Sequence, residues 1–143
     1  MRRSLVVLTA VLLVAVAVRV WAQPSKQATG FQGYWMGVDP VDGGDARRSL
    51  VRQADGTYAL AAHDSVLTLC DGTEHGFGSF NNGEVVDKNV MRSNSLLLEC
   101  FNNGARVTLH VTFELVEKTL MKETATREDG TPVSTIIFHK VSE

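Results

Sequence analysis

The sequence predicts an all-β domain: a single antiparallel up-and-down barrel of about eight to ten strands, with a two-sheet β-sandwich as the alternative. Three observations carry this. Turn signals recur along the chain, with Asp-Gly-Thr starting at Asp55, Asp71 and Asp129 and Asn-Asn-Gly starting at Asn81 and Asn102. Asp-Gly and Asn-Gly supply the positive φ angles that tight hairpins require. Val107, Leu109, Val111, Phe113 and Leu115 alternate with Arg106, Thr108, His110, Thr112 and Glu114, the pattern of a strand with one buried and one wet face. Finally, no helical periodicity appears downstream of Phe31.

The chain begins Met1-Arg2-Arg3, runs apolar from Leu5 to Val18, and places small residues at Val20 and Ala22. A basic start, a short apolar core and small residues before the cut site predict a secretory signal peptide, a helix over residues 1–22. The apolar run is shorter than the ~20 residues needed to cross a bilayer, and an uncleaved anchor is the alternative. Residues 23–32 are polar and aperiodic and read as a flexible tether. The barrel domain is expected over 33–143.

Cleavage after Ala22 would leave 121 residues, enough for one core. Three of the 14 Lys and Arg residues lie in the leader and all 16 acids lie beyond it, so the net charge would pass from −2 to −5. Such a domain has no electrostatic basis for binding nucleic acid or, once the leader is removed, an anionic membrane. Cys70 and Cys100 both fall in the exported part, where an oxidising compartment favours their pairing. A disulfide there would contribute about 3–4 kcal/mol by constraining the unfolded chain. The expected location is therefore secreted or periplasmic.

Between the turns, β-rich runs cover 33–39, 47–53, 57–63, 65–70, 75–80, 84–90, 94–101, 105–115, 118–126 and 133–141. Short sequential hairpins favour an up-and-down order, and closure removes exposed sheet edges. Phe80-Asn81-Asn82-Gly83 and Phe101-Asn102-Asn103-Gly104 repeat at a spacing of 21 residues. Two strands apart, both turns are expected at the same end of the barrel.

Gly33-Tyr34-Trp35 resembles the Gly-x-Trp signature that opens lipocalin-like (calycin) barrels, and the chain is similar to small secreted members of unknown function. The long first connection, Pro40 to Ala46, and a basic residue on the last strand, Lys140, fit the same resemblance. It implies an eight-stranded barrel in which Gly33 leaves room for the Trp35 indole to plug the closed end. It also implies a mouth able to take a small apolar ligand, guarded by the first loop. On this reading Trp35 closes the base, and Tyr58, His63 and Phe77 are expected to line the ligand. The alternative is a structural or protein-interaction domain with a filled core, for example an inhibitor of a secreted hydrolase.

The sharpest chemical feature is the loop Asp39-Pro40-Val41-Asp42-Gly43-Gly44-Asp45, followed by Arg47 and Arg48. The expected arrangement is a turn capped by aspartate side chains and neutralised by the two arginines. A Ca²⁺ site through carboxylate oxygens is the alternative. Histidines 63, 75, 110 and 139 follow no metal-ligand spacing, and the neighbours His63-Asp64 and Glu74-His75 would point to opposite faces of a strand. Nucleophile elbows, phosphate loops and dinucleotide fingerprints are absent from the sequence, so an enzyme is the least favoured class and no cofactor is expected.

Overall fold

A computed structural model describes residues 30–70 and 75–143. The expected leader, residues 23–29 of the tether and the Asp71-Gly72-Thr73 turn lie outside the described residues. Eight strands follow one another as β1 (Gly33–Val38), β2 (Asp45–Arg52), β3 (Tyr58–Asp64), β4 (Gly76–Asp87), β5 (Val90–Cys100), β6 (Arg106–Glu117), β7 (Leu120–Thr126) and β8 (Pro132–Ser142). Each pairs antiparallel with its neighbour in sequence, and β1 pairs with β8, so the sheet closes on itself. This is the up-and-down barrel that the turn spacing predicts.

The alternation of β6 is realised, with Leu109, Val111 and Phe113 buried inside the barrel. The glycines of three expected turns adopt positive φ: Gly56 (+89°), Gly104 (+66°) and Gly130 (+84°). Several expectations fail. Residues 65–70 form a connection ending in a 3-10 turn, Thr68–Cys70, and not a strand. Asn81-Asn82-Gly83 is no turn; it runs through the middle of β4.

The reason is cross-strand bonding. Gln53 donates to the Asn81 carbonyl at 2.6 Å, and the Ser93 and Ser95 hydroxyls each donate to Asn82 Oδ1 at 2.8 Å. Gly83 is needed for packing, because a Cβ there would come within 2.7 Å of the Phe80 ring. The hairpin that follows turns instead at Lys88-Asn89, inside a run expected to be strand. The two Phe-Asn-Asn-Gly copies therefore do not mark the same end of the barrel.

Inside, Trp35, Leu50, Tyr58 and Phe113 fill the half nearest Phe31. Phe31, counted by sequence with the tether, is fully buried there, so the packed domain begins before residue 33. Its ring meets Tyr58 edge to face, with centroids 5.9 Å apart. The Trp35 indole N–H donates to the Phe31 carbonyl at 2.9 Å, which lets a polar ring nitrogen stay buried without penalty. Lys140 lies across the indole, its Nζ 5.4 Å from the ring centroid, and reaches Glu143 at 2.9 Å.

Gly33 is required here, though not to make space for the indole. Its φ of +131° suits few L side chains, and a Cβ would collide with the Ser142 carbonyl oxygen and come within 2.7 Å of Lys140 Cε. Together these residues seal one end.

Candidate functional site at the barrel mouth

The other end is ringed by the β1–β2 loop (39–44), the β3–β4 connection (65–70) and the β7–β8 turn. Cys70 is bonded to Cys100, with Cα atoms 5.6 Å apart, and this ties the 65–70 segment to the end of β5. Leu67 tucks under that segment into the mouth, in the space that Gly76 leaves by having no side chain.

Three charged residues meet at the floor of the mouth. Arg48 sits on the inward face of β2, between Ala46 and Leu50, and is 2% exposed. Glu123 reaches it from β7 and is also 2% exposed; Asp64 reaches it from the end of β3 and is 6% exposed. The guanidinium grips Glu123 with two bonds, Nε–Oε2 at 2.7 Å and Nη2–Oε1 at 2.9 Å. Its Nη1 donates to Asp64 Oδ1 at 2.8 Å and to the Arg47 carbonyl at 3.0 Å. The same group lies 5.0 Å from the centroid of the Phe138 ring.

Burial by itself would lower the arginine pKa, but the adjacent Glu123 and then Asp64 outweigh it and raise it, so the guanidinium stays charged. Burial holds the Asp64 carboxyl above its ordinary range, opposed by Arg48 and reinforced by Glu123 and Asp39. One cation thus faces two buried carboxylates.

The sequence reading of the acidic loop needs correcting at Arg48. The arginine does not neutralise the loop aspartates; it turns inward, and its partners are 16 and 75 residues away in sequence. The loop is held by its own turns. Asp39 Oδ1 accepts from the Val41 N–H at 2.8 Å, and Asp42 Oδ1 accepts from the Gly44 N–H at 2.9 Å. Thr68 donates to the other Asp42 oxygen at 3.2 Å, which links the loop to the 65–70 segment. Asp45 and Arg47 make only a long, exposed pair at 4.0 Å. Burial raises the Asp39 pKa, the Val41 N–H opposes it, and the neighbouring Asp42 and Glu123 charges add to it.

Above the trio lies a small cup. Leu67, Leu96, Leu98, Leu109, Val133 and Ile136 form its apolar wall, with Asp39, Asp42 and Val41 at the rim. The space it encloses is about 30 Å³. Two carboxyls with raised pKa values share this cleft, an arrangement that recurs at functional sites.

Trp35, expected to close the base, and the three residues expected to line a ligand all lie away from the cup. Trp35 and Tyr58 are buried in the sealed half. His63 and Phe77 point out of the barrel, because the inward residues of β3 and β4 are Leu60, Ala62, Asp64, Gly76 and Phe80. On that outer face His63 Nε2 lies 3.2 Å from His75 Nδ1. With ring centroids 5.4 Å apart, little beyond the two ring radii and the nitrogen gap separates them, so the rings meet edge to edge in one plane. Burial first, then His75 and Arg47, lower the His63 pKa. Phe77 packs on His63 and Phe101 on Phe77, with centroids 5.0 and 6.1 Å apart. Phe77, Leu97 and Phe101 also line a surface groove of about 540 Å³ across β3, β4 and β5. Phe101 is 69% exposed.

A period of two could have found the trio. Arg48 and Glu123 each occupy an inward position between apolar residues, and Asp64 one that follows the inward Ala62, where an unpartnered charge is not tolerated.

These features define a closed, eight-stranded antiparallel barrel with one plugged end and a charged floor beneath its mouth. No family model matches the sequence, and no curated protein matches it. Among solved structures the chain is similar to a redesigned beta barrel, with a TM-score of 0.55 and 16% identity, over 84% of this chain and 99% of that one. At that identity the likeness carries the fold alone.

Proposed function

We propose that this protein is a small exported lipocalin-like binding module that takes its ligand at the mouth of the barrel. Export is supported by the leader-like sequence of residues 1–22 and by the disulfide between Cys70 and Cys100. The lipocalin-like reading is supported by Gly33-Tyr34-Trp35 at the sealed end and by Lys140 lying over the indole. The observation that carries the binding reading is the cup itself, an apolar wall standing on three buried charges. Sites for small molecules combine apolar lining with a few placed polar groups in this way. The ligand is small, or it displaces Leu67 as it seats.

Native mass spectrometry of the protein purified from its secreted form tests this. The expected result is a population carrying a co-purified small molecule, absent from a Leu98→Trp variant whose cup is filled. Bare protein in both samples would overturn it. A second reading would then stand, that of an interaction domain with a filled core. It is favoured by one observation: the enclosed 30 Å³ is far below the ~300 Å³ and more of ordinary ligand pockets. The partner would then meet the outer groove at Phe77, Leu97 and Phe101.

A further inference from the structure

Resting on the mouth-binding reading, we infer that the ligand is an amphiphile with a primary ammonium head and an apolar body, and that the cup discriminates against the corresponding carboxylate.

Charge is the first reason. Asp39, Asp42, Asp64 and Glu123 line the cup, and among the described residues Arg48 is the single cation that lines it. Arg48 is already committed: Nε and Nη2 are bound to Glu123, and Nη1 to Asp64 and the Arg47 carbonyl. An anionic head entering the cup would meet carboxylates and no cation free to receive it. A cationic head would meet Asp39 and Asp42 at the rim, two lining carboxylates that no arginine or lysine among the described residues bonds; the Asp39 carboxylate accepts only from the Val41 N–H. Attraction between opposite charges offsets the cost of taking a cation out of water there, whereas like charges brought together have nothing to offset that cost.

Size is the second and independent reason. The enclosed space of about 30 Å³ holds one or two water-sized groups. An ammonium is of that size and brings three donors to a site rich in acceptors. A planar guanidinium or a quaternary amine would need more room. The lining beyond the floor is aliphatic, with Leu67, Val133 and Ile136 set to pack against methylenes rather than to bond polar atoms. The head therefore sits just inside the rim beside Asp39, with its first methylene against these side chains, and the rest of the chain points out past the 39–44 loop.

Isothermal titration of the purified protein at neutral pH with 1-aminooctane, 1-octanol and octanoate tests this. The three probes share a chain length and differ in the head. The expected order is amine, then alcohol, then carboxylate, with at least about tenfold between the first and the last. Asp39→Asn should weaken the amine by about tenfold and leave the alcohol unchanged, which a general loss of structure would not do. Octanoate binding as tightly as the amine, or equal binding of all three, would overturn the charge selectivity while leaving mouth binding intact. If none of the three binds, and native spectra are also bare, the mouth-binding reading itself falls.

Discussion

The two ends of this barrel each set a cation beside a buried aromatic ring, and they do so under opposite conditions. At the sealed end Lys140 lies over Trp35, but its ammonium reaches the surface and an exposed partner, Glu143. At the mouth Arg48 lies over Phe138 almost wholly buried, and Glu123 and Asp64 balance its charge there. The first is a snorkelling side chain covering an apolar plug. The second is a buried ionic network, whose desolvation cost roughly cancels its attraction. A plug made of rings is a good way to hold a fold together, and a buried trio is a poor one. That difference is what makes the mouth the candidate site.

The largest expected effect breaks the network from one side. Glu123→Leu leaves Arg48 with one carboxylate and should cost about 3–5 kcal/mol in urea unfolding. Replacing all three, by Arg48→Met, Asp64→Leu and Glu123→Leu together, should restore most of that loss, because no charge is then left unpaired. A triple variant as unstable as the single one would mean the trio is a mainstay of the fold, and the contrast between the ends would collapse.

Next in size, Cys70→Ala with Cys100→Ala should lose about 3–4 kcal/mol. Amide exchange should then rise in residues 65–70 and stay slow around Trp35. Equal loosening at both ends would erase the distinction. At the sealed end Lys140→Met removes a cation–π contact from a partly wet position and should cost only about 0.5–1 kcal/mol by thermal melt.

The smallest effect is a pH dependence near the mouth. His63 has a folded-state pKa below its usual value, so its contribution is fully present above the unfolded pKa of 6.5 and is lost as pH falls through the lowered one. Wild type should therefore lose melting temperature between pH 7.5 and pH 5 more steeply than His63→Gln. Parallel curves would remove His63 from any account of acid sensitivity.

How much of this could be read without coordinates varies by residue. The β6 strand, the Asp55-Gly56, Asn103-Gly104 and Asp129-Gly130 turns and the Cys70–Cys100 pair were all legible, because each depends on local pattern or on a simple count. Asn81-Asn82-Gly83 was misread because turn chemistry was outweighed by partners on neighbouring strands, which only register reveals. The arginine–carboxylate trio was missed for a related reason. Adjacent aspartates in the 39–45 loop looked like the natural partners of Arg48, while Glu123 lies 75 residues away. Placing His63 and Phe77 in a cavity ignored the two-residue period of their own strands, which sends them outward beside Leu97 and Phe101.

The pairing of β1 with β8, Tyr34 opposite Ser142, has a consequence for how the molecule can be handled. The chain enters the barrel at Phe31 and leaves it at Ser142, and both crossings occur at the plugged face. A fusion partner or bead attached on either side would grip the barrel like the stem of a goblet. The bowl, with Asp39 on its lip, would face away from the point of attachment, so immobilisation through either side should leave the cup turned toward whatever is passed over it.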